Sequence, residues 1–155
     1  MQILLMRHGE AEVRHRSDSE RQLTDLGREQ ARQSAAWMLN HGYSLDGLFA
    51  SPYVRAQQSA GEVSDMLDVP ISTSASLLPE TDPKDVLIWL DGLDIPEEGV
   101  IALVCHMPVV ARLAGYLCDG SGRHAPGFSL AEVVVIDVPI LAAGQGHRSG
   151  GFIPY

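Results

Sequence analysis

Positive charge is scarce in this sequence. Its 155 residues include one lysine and ten arginines against 20 acidic residues, and the formal net charge is −9. A field of that sign repels nucleic acid and anionic membrane surfaces, so we expect neither as a partner. Phosphorylated molecules would be repelled as well, unless positive charge is concentrated locally. Six of the ten arginines do fall within residues 7–32, but six acids share that segment, so most of these arginines also fit a mixed solvated surface.

Cysteines and long apolar runs are also few. Cys105 and Cys118 form neither a disulfide framework nor a zinc-binding spacing, and the acids are scattered without ligand spacing. The apolar run at the amino terminus is short and lacks a basic leader, and no stretch approaches the roughly 18 apolar residues of a membrane span. We therefore expect a reduced, cytoplasmic protein without a signal peptide, and no metal or other cofactor.

The chain is long enough to bury one sizeable core, and no repeat or linker divides it, so we expect one domain over residues 1–155. Short apolar runs alternate with segments of helical period, which is typical of an α/β/α sandwich around a mostly parallel sheet. The predicted strands cover residues 2–6, 48–50, 71–73, 100–105, 132–138 and 152–154. The predicted helices follow a cap at Thr24, the pairs Ser51-Pro52 and Asp82-Pro83, and Pro108. A glycine-rich loop is predicted at residues 119–127.

Residues able to carry chemistry follow three of the predicted strands. Arg7 and His8 come after the first, Arg55 lies in the helix after the second, and His106 follows the run "VIALVC". The carboxyl ends of parallel strands meet at one edge of a sheet, where open α/β sheets bind their ligands. We therefore expect these four side chains to converge. Taken singly, each also fits an ordinary role at a strand end or on a solvated helix, so the joint pattern carries the prediction.

Two arginines and two histidines together suit a phosphoryl group. The arginine fork matches phosphate oxygens, and the helix predicted after Ser51 adds backbone N–H groups and a positive dipole end. A neutral, oriented histidine can attack phosphorus. Gly9 would let the backbone turn sharply beside His8. The pattern predicts a phosphate site that needs no metal.

Four segments resemble, in the same order, the motifs of the histidine phosphatase superfamily, whose fold is phosphoglycerate-mutase-like. They are "MRHGEAE", "LTDLGREQA", "SPYVRAQQSA" (with Ser59 in place of a common threonine) and "VCHMPVV". The resemblance implies that His8 is the nucleophile and forms a phosphohistidine intermediate, which water then hydrolyses. It implies that Arg7, Arg55 and His106 clamp the phosphoryl oxygens.

The resemblance also implies a candidate for the general acid and a class of substrate. The family usually supplies an acidic general acid, and Glu80 in "LLPETDP" is the matching candidate. The chain is near the minimal length for the fold, with only residues 10–23 available to cover the site, which favours a phosphate displayed on another protein. The segment "SDSERQLT" resembles the short bacterial protein-phosphohistidine phosphatases, with Arg21 matching an arginine near their pocket. An imidazole with a reference pKa of about 6.5 leaves more readily than an alkoxide, so such a substrate asks little of Glu80.

We therefore expect a phosphatase acting on phosphohistidine in a signalling or phosphotransfer protein. The implied partner is a histidine-containing phosphotransfer domain or a carrier protein, and the chain is expected to be a monomer. The main alternative is a phosphomonoesterase for small phosphorylated metabolites. A non-catalytic phosphoprotein-binding module is less favoured, because the nucleophile and all three clamp residues are present. A cysteine phosphatase is excluded by spacing, since C-x5-R from Cys105 lands on Ala111 and Arg112 is one residue too far.

Overall fold

Six strands form one sheet in the computed structural model, which describes residues 1–121 and 125–155. They are β1 (Gln2–Arg7), β2 (Gly47–Ala50), β3 (Ile71–Thr73), β4 (Val100–Cys105), β5 (Val133–Asp137) and β6 (His147–Phe152). Across the sheet the order is β3-β2-β4-β1-β5-β6. The first four strands in this order are parallel, β5 is antiparallel to β1, and β6 is antiparallel to β5. The prediction of a mostly parallel sheet is confirmed.

Helices cover both faces of this sheet. They are α1 (Asp25–Asn40), α2 (Val54–Leu67), α3 (Pro83–Asp91) and α4 (Val109–Asp119). Successive side chains of a strand point to opposite faces, so β1 contributes to two separate cores. Ile3 and Leu5 pack in the core that contains apolar residues of α3 and α4, whereas Leu4 and Met6 pack in the core that contains those of α1 and α2. The result is the predicted three-layer sandwich.

Two helices begin where their capping residues predict. The Thr24 hydroxyl accepts a hydrogen bond from the backbone N–H of Gly27 at the start of α1 (3.0 Å). The Asp82 carboxylate does the same for the N–H of Lys84 at the start of α3 (2.9 Å). These caps satisfy N–H groups that have no partner within the helix.

The prediction that Ser51-Pro52 starts the next helix is wrong. Helix α2 begins at Val54, and Tyr53 is its N-cap residue. The backbone N–H of Ser51 instead bonds to the carbonyl of Val104 on β4, and the Ser51 hydroxyl lies 2.7 Å from the Nε2 of His106. The Ser51 hydroxyl also accepts from the N–H of Tyr53 (3.3 Å), so it serves both the sheet edge and the turn that leads into α2.

The last strand is also placed differently from its prediction at residues 152–154. Strand β6 runs from His147 to Phe152 and is exposed or half-buried throughout. An edge strand of this kind carries no apolar alternation that could mark it in the sequence. Residues 122–124 of the predicted loop at 119–127 lie outside the described residues. Within the described ranges, none of the helices has the length and apolar character needed to cross a bilayer.

Candidate active site

The structure brings Arg7, His8, Arg55 and His106 together at the carboxyl edge of the parallel strands. Arg7 is the last residue of β1 and pairs in register with Cys105 on β4, so His8 and His106 leave adjacent strands side by side. Their ring centroids are 5.3 Å apart. Arg55 reaches the same place from the first turn of α2, with its Nε 3.3 Å from His8 Nε2.

His8 is held as a neutral imidazole with a defined proton position. Its Nδ1 lies 2.7 Å from the carbonyl oxygen of Gly9. Because a carbonyl oxygen only accepts, Nδ1 carries the proton and Nε2 carries a lone pair, which accepts from Arg55 Nε. Burial, together with the positive charges of Arg55, Arg7 and Arg21, lowers the pKa of His8 to about 4, against an opposing effect of the Gly9 carbonyl. The ring is therefore uncharged at neutral pH.

Arg55 uses its two ends differently. Its Nη1 donates to the backbone carbonyl of Asp18 (2.6 Å), and its Nη2 donates to the carboxylate Oδ2 of Asp18 (3.1 Å). The other fork of the guanidinium, formed by Nε and the second N–H of Nη2, is directed toward His8. The side chain is buried, and its guanidinium lies 5.1 Å from the centre of the Tyr53 ring. Arg55 is thus fixed from behind, with one planar fork facing the nucleophile candidate.

Arg7 has a donor left over. Its Nη1 donates to the carbonyl of Phe128 (2.8 Å), while its Nε is buried and has no partner among the described residues. Burial lowers the pKa of Arg7 from its ordinary value. An unpaired buried donor is costly, which fits a group that a bound anion completes.

His106 also has a buried nitrogen without a hydrogen-bond partner among the described residues. Its Nε2 lies 2.7 Å from Ser51 Oγ, the Tyr53 ring packs against it edge-on, and its Nδ1 is buried with no partner in the described part of the chain. Burial, followed by the positive charges around it, lowers its pKa to about 3, and the charge of Asp18 opposes this. His106 is therefore also neutral at neutral pH.

Asp18 is the residue at this site that the sequence did not single out. It lies in a short 3-10 turn, Asp18–Glu20, and its carboxylate accepts from Arg21 Nη1 (2.9 Å) as well as from Arg55. These two arginines hold the pKa of Asp18 below its ordinary value. In the sequence it is one of six acids among arginines, typical of a solvated surface. The available signal was its segment, "SDSERQLT", which had pointed only to Arg21.

Arg21 joins the site through that carboxylate. Its Nε donates to the backbone carbonyl of Glu12 (2.6 Å), which holds it against the loop that follows β1. Its charge is close enough to contribute to the low pKa of His8. Glu80 is placed differently: it is exposed after the 3-10 turn Ala75–Leu77, and no hydrogen bond or ion pair joins it to another described residue. A role for Glu80 stays a prediction.

Glycine is required at position 9 because the backbone there lies close to the backbone of Gly27. The sequence had instead suggested that Gly9 permits a sharp turn. Its φ is not in the left-handed region, but a Cβ added there would overlap the carbonyl of Gly27 in the first turn of α1. Its N–H donates to the Ser59 hydroxyl (3.0 Å), which in turn donates to the carbonyl of Arg55 (2.8 Å). The hydroxyl of Ser59 therefore links the loop that carries His8 to the helix that carries Arg55.

Neither a cysteine nucleophile nor a metal site is supported at this edge of the sheet. Cys105 is fully buried, and burial raises the pKa of its thiol to about 12, so a reactive thiolate is not available. Within residues 1–121 and 125–155, no three His, Cys, Asp or Glu side chains are grouped so as to hold a metal ion. The groups gathered here are two neutral histidines and the forks of two arginines, a set that suits a tetrahedral oxyanion.

Comparisons with known proteins identify relatives over most of this chain. A family model described as the histidine phosphatase superfamily (branch 1) matches residues 3–81. Phosphohistidine phosphatase SixA of Escherichia coli (strain K12) is 35% identical over 140 residues, which cover 88% of this chain and 84% of that protein. A SixA homolog of Haemophilus influenzae is 34% identical over 128 residues, covering 76% of this chain and 77% of that protein.

A solved structure extends the match over the whole fold. It is that of the protein histidine phosphatase SixA complexed with tungstate, which superposes with a TM-score of 0.86 at 28% identity and covers 99% of this chain and 97% of that one. The predicted resemblance and fold are thereby confirmed. This chain belongs to the histidine phosphatase superfamily.

Proposed function

We propose that this phosphatase removes the phosphoryl group from phosphohistidine on another protein, through a phosphohistidine formed on His8. The observation that carries the proposal is the state of His8, a neutral ring with Nδ1–H bonded to the Gly9 carbonyl and a lone pair on Nε2 beside Arg55. The relatives described above are named as phosphohistidine phosphatases, and the matched SixA structure contains tungstate, a tetrahedral oxyanion.

In the first step, the lone pair of His8 Nε2 attacks phosphorus, and the bond between phosphorus and the substrate's ring nitrogen breaks with its electron pair returning to that nitrogen. The phosphoryl oxygens bind the side fork of Arg55 and the unpaired Nε of Arg7. If the Ser51 hydroxyl donates to His106 Nε2, the proton of His106 lies on Nδ1, which can donate to a third oxygen. On substrate binding, Arg55 Nε exchanges its hydrogen bond to His8 Nε2 for one to a phosphoryl oxygen, which frees the attacking lone pair, while the unpaired donors of Arg7 and His106 are already in place.

In the second step, water attacks phosphorus, the bond to His8 Nε2 breaks, and a proton of the water passes to a phosphate oxygen or to solvent. The Gly9 carbonyl keeps a proton on Nδ1 throughout, so phosphorylated His8 carries a positive ring. The bonding pair returns to Nε2, and the ring leaves as neutral imidazole. The leaving group therefore requires no separate acid in this step.

The surroundings of the site suit a protein substrate. Residues 13–18 are exposed and lead to Asp18, which contacts Arg55, so the segment beside the site is available to the surface of a partner protein. An imidazole leaving group also suits a site whose candidate acid, Glu80, is exposed and unconnected. We propose a phosphotransfer domain or carrier protein as the partner, a monomeric enzyme, and a cytoplasmic location in keeping with two free cysteines.

The test compares phosphate release from a phosphohistidine-bearing phosphotransfer protein with release from sugar and glycerate phosphates. We expect steady turnover with a clear preference for the phosphohistidine protein in kcat/KM. A strong preference for the small esters would replace this substrate class with metabolites. Stoichiometric binding of the phosphoprotein without phosphate release would show a binding module instead of an enzyme.

A further inference from the structure

Asp18 places a negative charge at the margin of a site that otherwise gathers positive groups. Its carboxylate accepts from Arg55 Nη2 and Arg21 Nη1, yet its side chain remains 59% exposed. A carboxylate has about four acceptor positions, so two hydrogen bonds leave capacity for another donor. Its charge also reaches His106, whose pKa it raises against the effect of burial. The carboxylate shares Nη2 with the side fork of Arg55 but takes one of its two N–H groups, so Nε and the other N–H of Nη2 are left for the phosphoryl group.

The imidazole of the substrate, like that of His8, leaves as a neutral ring only if its nitrogen away from phosphorus carries a proton. When the bond between phosphorus and the substrate ring breaks, the bonding pair goes to that ring nitrogen. If the distal ring nitrogen already carries a proton, the product is neutral imidazole, and if it does not, the product is an imidazolate anion. Efficient transfer therefore requires a group that keeps the distal nitrogen protonated.

His8 has such a group in the Gly9 carbonyl. We infer that the Asp18 carboxylate does the same for the substrate, accepting a hydrogen bond from the distal N–H of the phosphohistidine ring and favouring its protonated form. Transfer then runs between two rings that each keep a proton on the nitrogen away from phosphorus. This assigns Asp18 a role in selecting phosphohistidine over phosphate esters, and it rests on the proposed function.

The groups that face Asp18 fit this role. Arg21, on its own segment, and Arg55, on α2, keep the carboxylate ionised, so it acts as an acceptor and not as a proton donor. His8 and His106 are the remaining titratable groups at this edge, and both stay neutral near pH 7. Because neither His8 nor His106 changes charge between pH 6 and pH 8.5, a pH effect that is specific to Asp18→Asn reports the substrate ring, for which the value of about 6.5 for unmodified histidine is the guide.

The experiment uses Asp18→Asn in the full chain, with Glu20→Gln as the matched control. Glu20 lies in the same 3-10 turn, is exposed, and pairs with His15, so its variant removes the same charge from the same segment. The probes are phosphoimidazole, the phosphohistidine protein, and p-nitrophenyl phosphate, whose leaving group needs no proton. Values of kcat/KM are measured from pH 6 to pH 8.5.

For Asp18→Asn at pH 8 we expect a loss of about tenfold or more on both imidazole substrates, the effect of one charge-assisted hydrogen bond. The loss on the imidazole substrates should exceed the loss on p-nitrophenyl phosphate, which reports only the support that Asp18 gives to Arg55, and this excess should shrink toward pH 6, where the substrate ring protonates unaided, while thermal melting shows that the variant is folded. Glu20→Gln should match the unmodified chain. Equal losses on all three probes would mean that Asp18 acts only by positioning Arg55, and this would overturn the inference. Unchanged kcat/KM on the two imidazole substrates would overturn it as well. An unmodified chain inactive on both imidazole probes would overturn the proposed function as well, which separates the two failures.

Discussion

Replacing Arg55 tests whether its planar fork, and not merely its charge, binds the phosphoryl group. Methionine at this position keeps a side chain of similar length in a buried setting but removes every donor. The fork formed by Nε and Nη2 offers two charge-assisted hydrogen bonds, each worth about 1.5–3 kcal/mol. Losing both costs about 3–6 kcal/mol in the transition state, so kcat/KM for Arg55→Met should fall roughly 10²–10⁴-fold.

Arg55→Lys is the matched variant, because it keeps the positive charge and loses the fork. Lysine can neither grip Asp18 with two nitrogens nor present two parallel donors to phosphate, so we expect its rate to lie well below that of the unmodified chain but above that of Arg55→Met. The assay is steady-state phosphate release from phosphoimidazole and p-nitrophenyl phosphate, with thermal melting to confirm folding. Turnover of either variant within threefold of the unmodified chain would refute the role given to the fork.

Three further predictions follow from the same geometry. Gly27→Ala should lower the free energy of unfolding by about 1–3 kcal/mol in denaturant titrations, because its Cβ would overlap the carbonyl of Glu10, and unchanged stability would contradict that packing. Formation of the phosphoenzyme should persist down to about pH 5 and fall as pH drops through about 4, where Nε2 of His8 gains a proton, and loss already at pH 6.5 in rapid-quench experiments would show an ordinary histidine. Glu80→Gln should leave phosphohistidine turnover within about threefold, because Glu80 is exposed and unconnected, and a hundredfold loss would establish it as the acid.

Acidic pH should also weaken the fold. Both His8 and His106 have pKa values lowered by burial, so the unfolded chain binds more protons than the folded one below the ordinary histidine value. Their contribution to stability is present above about pH 6.5 and is lost as pH falls toward 4. Melting temperatures measured across this range check the sign.

The parts of the fold that were predicted from sequence are those with local causes. Strand β4, Val100–Cys105, is a continuous apolar run that must be buried on both faces, and its predicted bounds match the structure. Thr24 and Asp82 cap helices through their own side chains, a preference that acts within three residues. The convergence of the four site residues followed from one rule about parallel strands.

The parts that sequence could not supply depend on partners distant along the chain. Ser51 has the preference of a helix cap, but its hydroxyl contacts His106, 55 positions away. Asp18 resembles any solvated acid until α2 places Arg55 against it. Gly9 could have served a turn, and only the packing of the first loop on α1 shows that its role is a close approach to Gly27. In each case a tertiary contact, which the local sequence does not reveal, decides the role of the residue.

The most direct test of the mechanism is to identify the atom that carries the phosphoryl group during turnover. The enzyme is mixed with labelled phosphohistidine protein, quenched in base, and mapped by mass spectrometry and by ³¹P NMR. We expect an acid-labile, base-stable phosphoryl group on Nε2 of His8, with neither label nor turnover in His8→Ala. Label on another residue, on Nδ1 of His8, or still on a histidine in His8→Ala would contradict it.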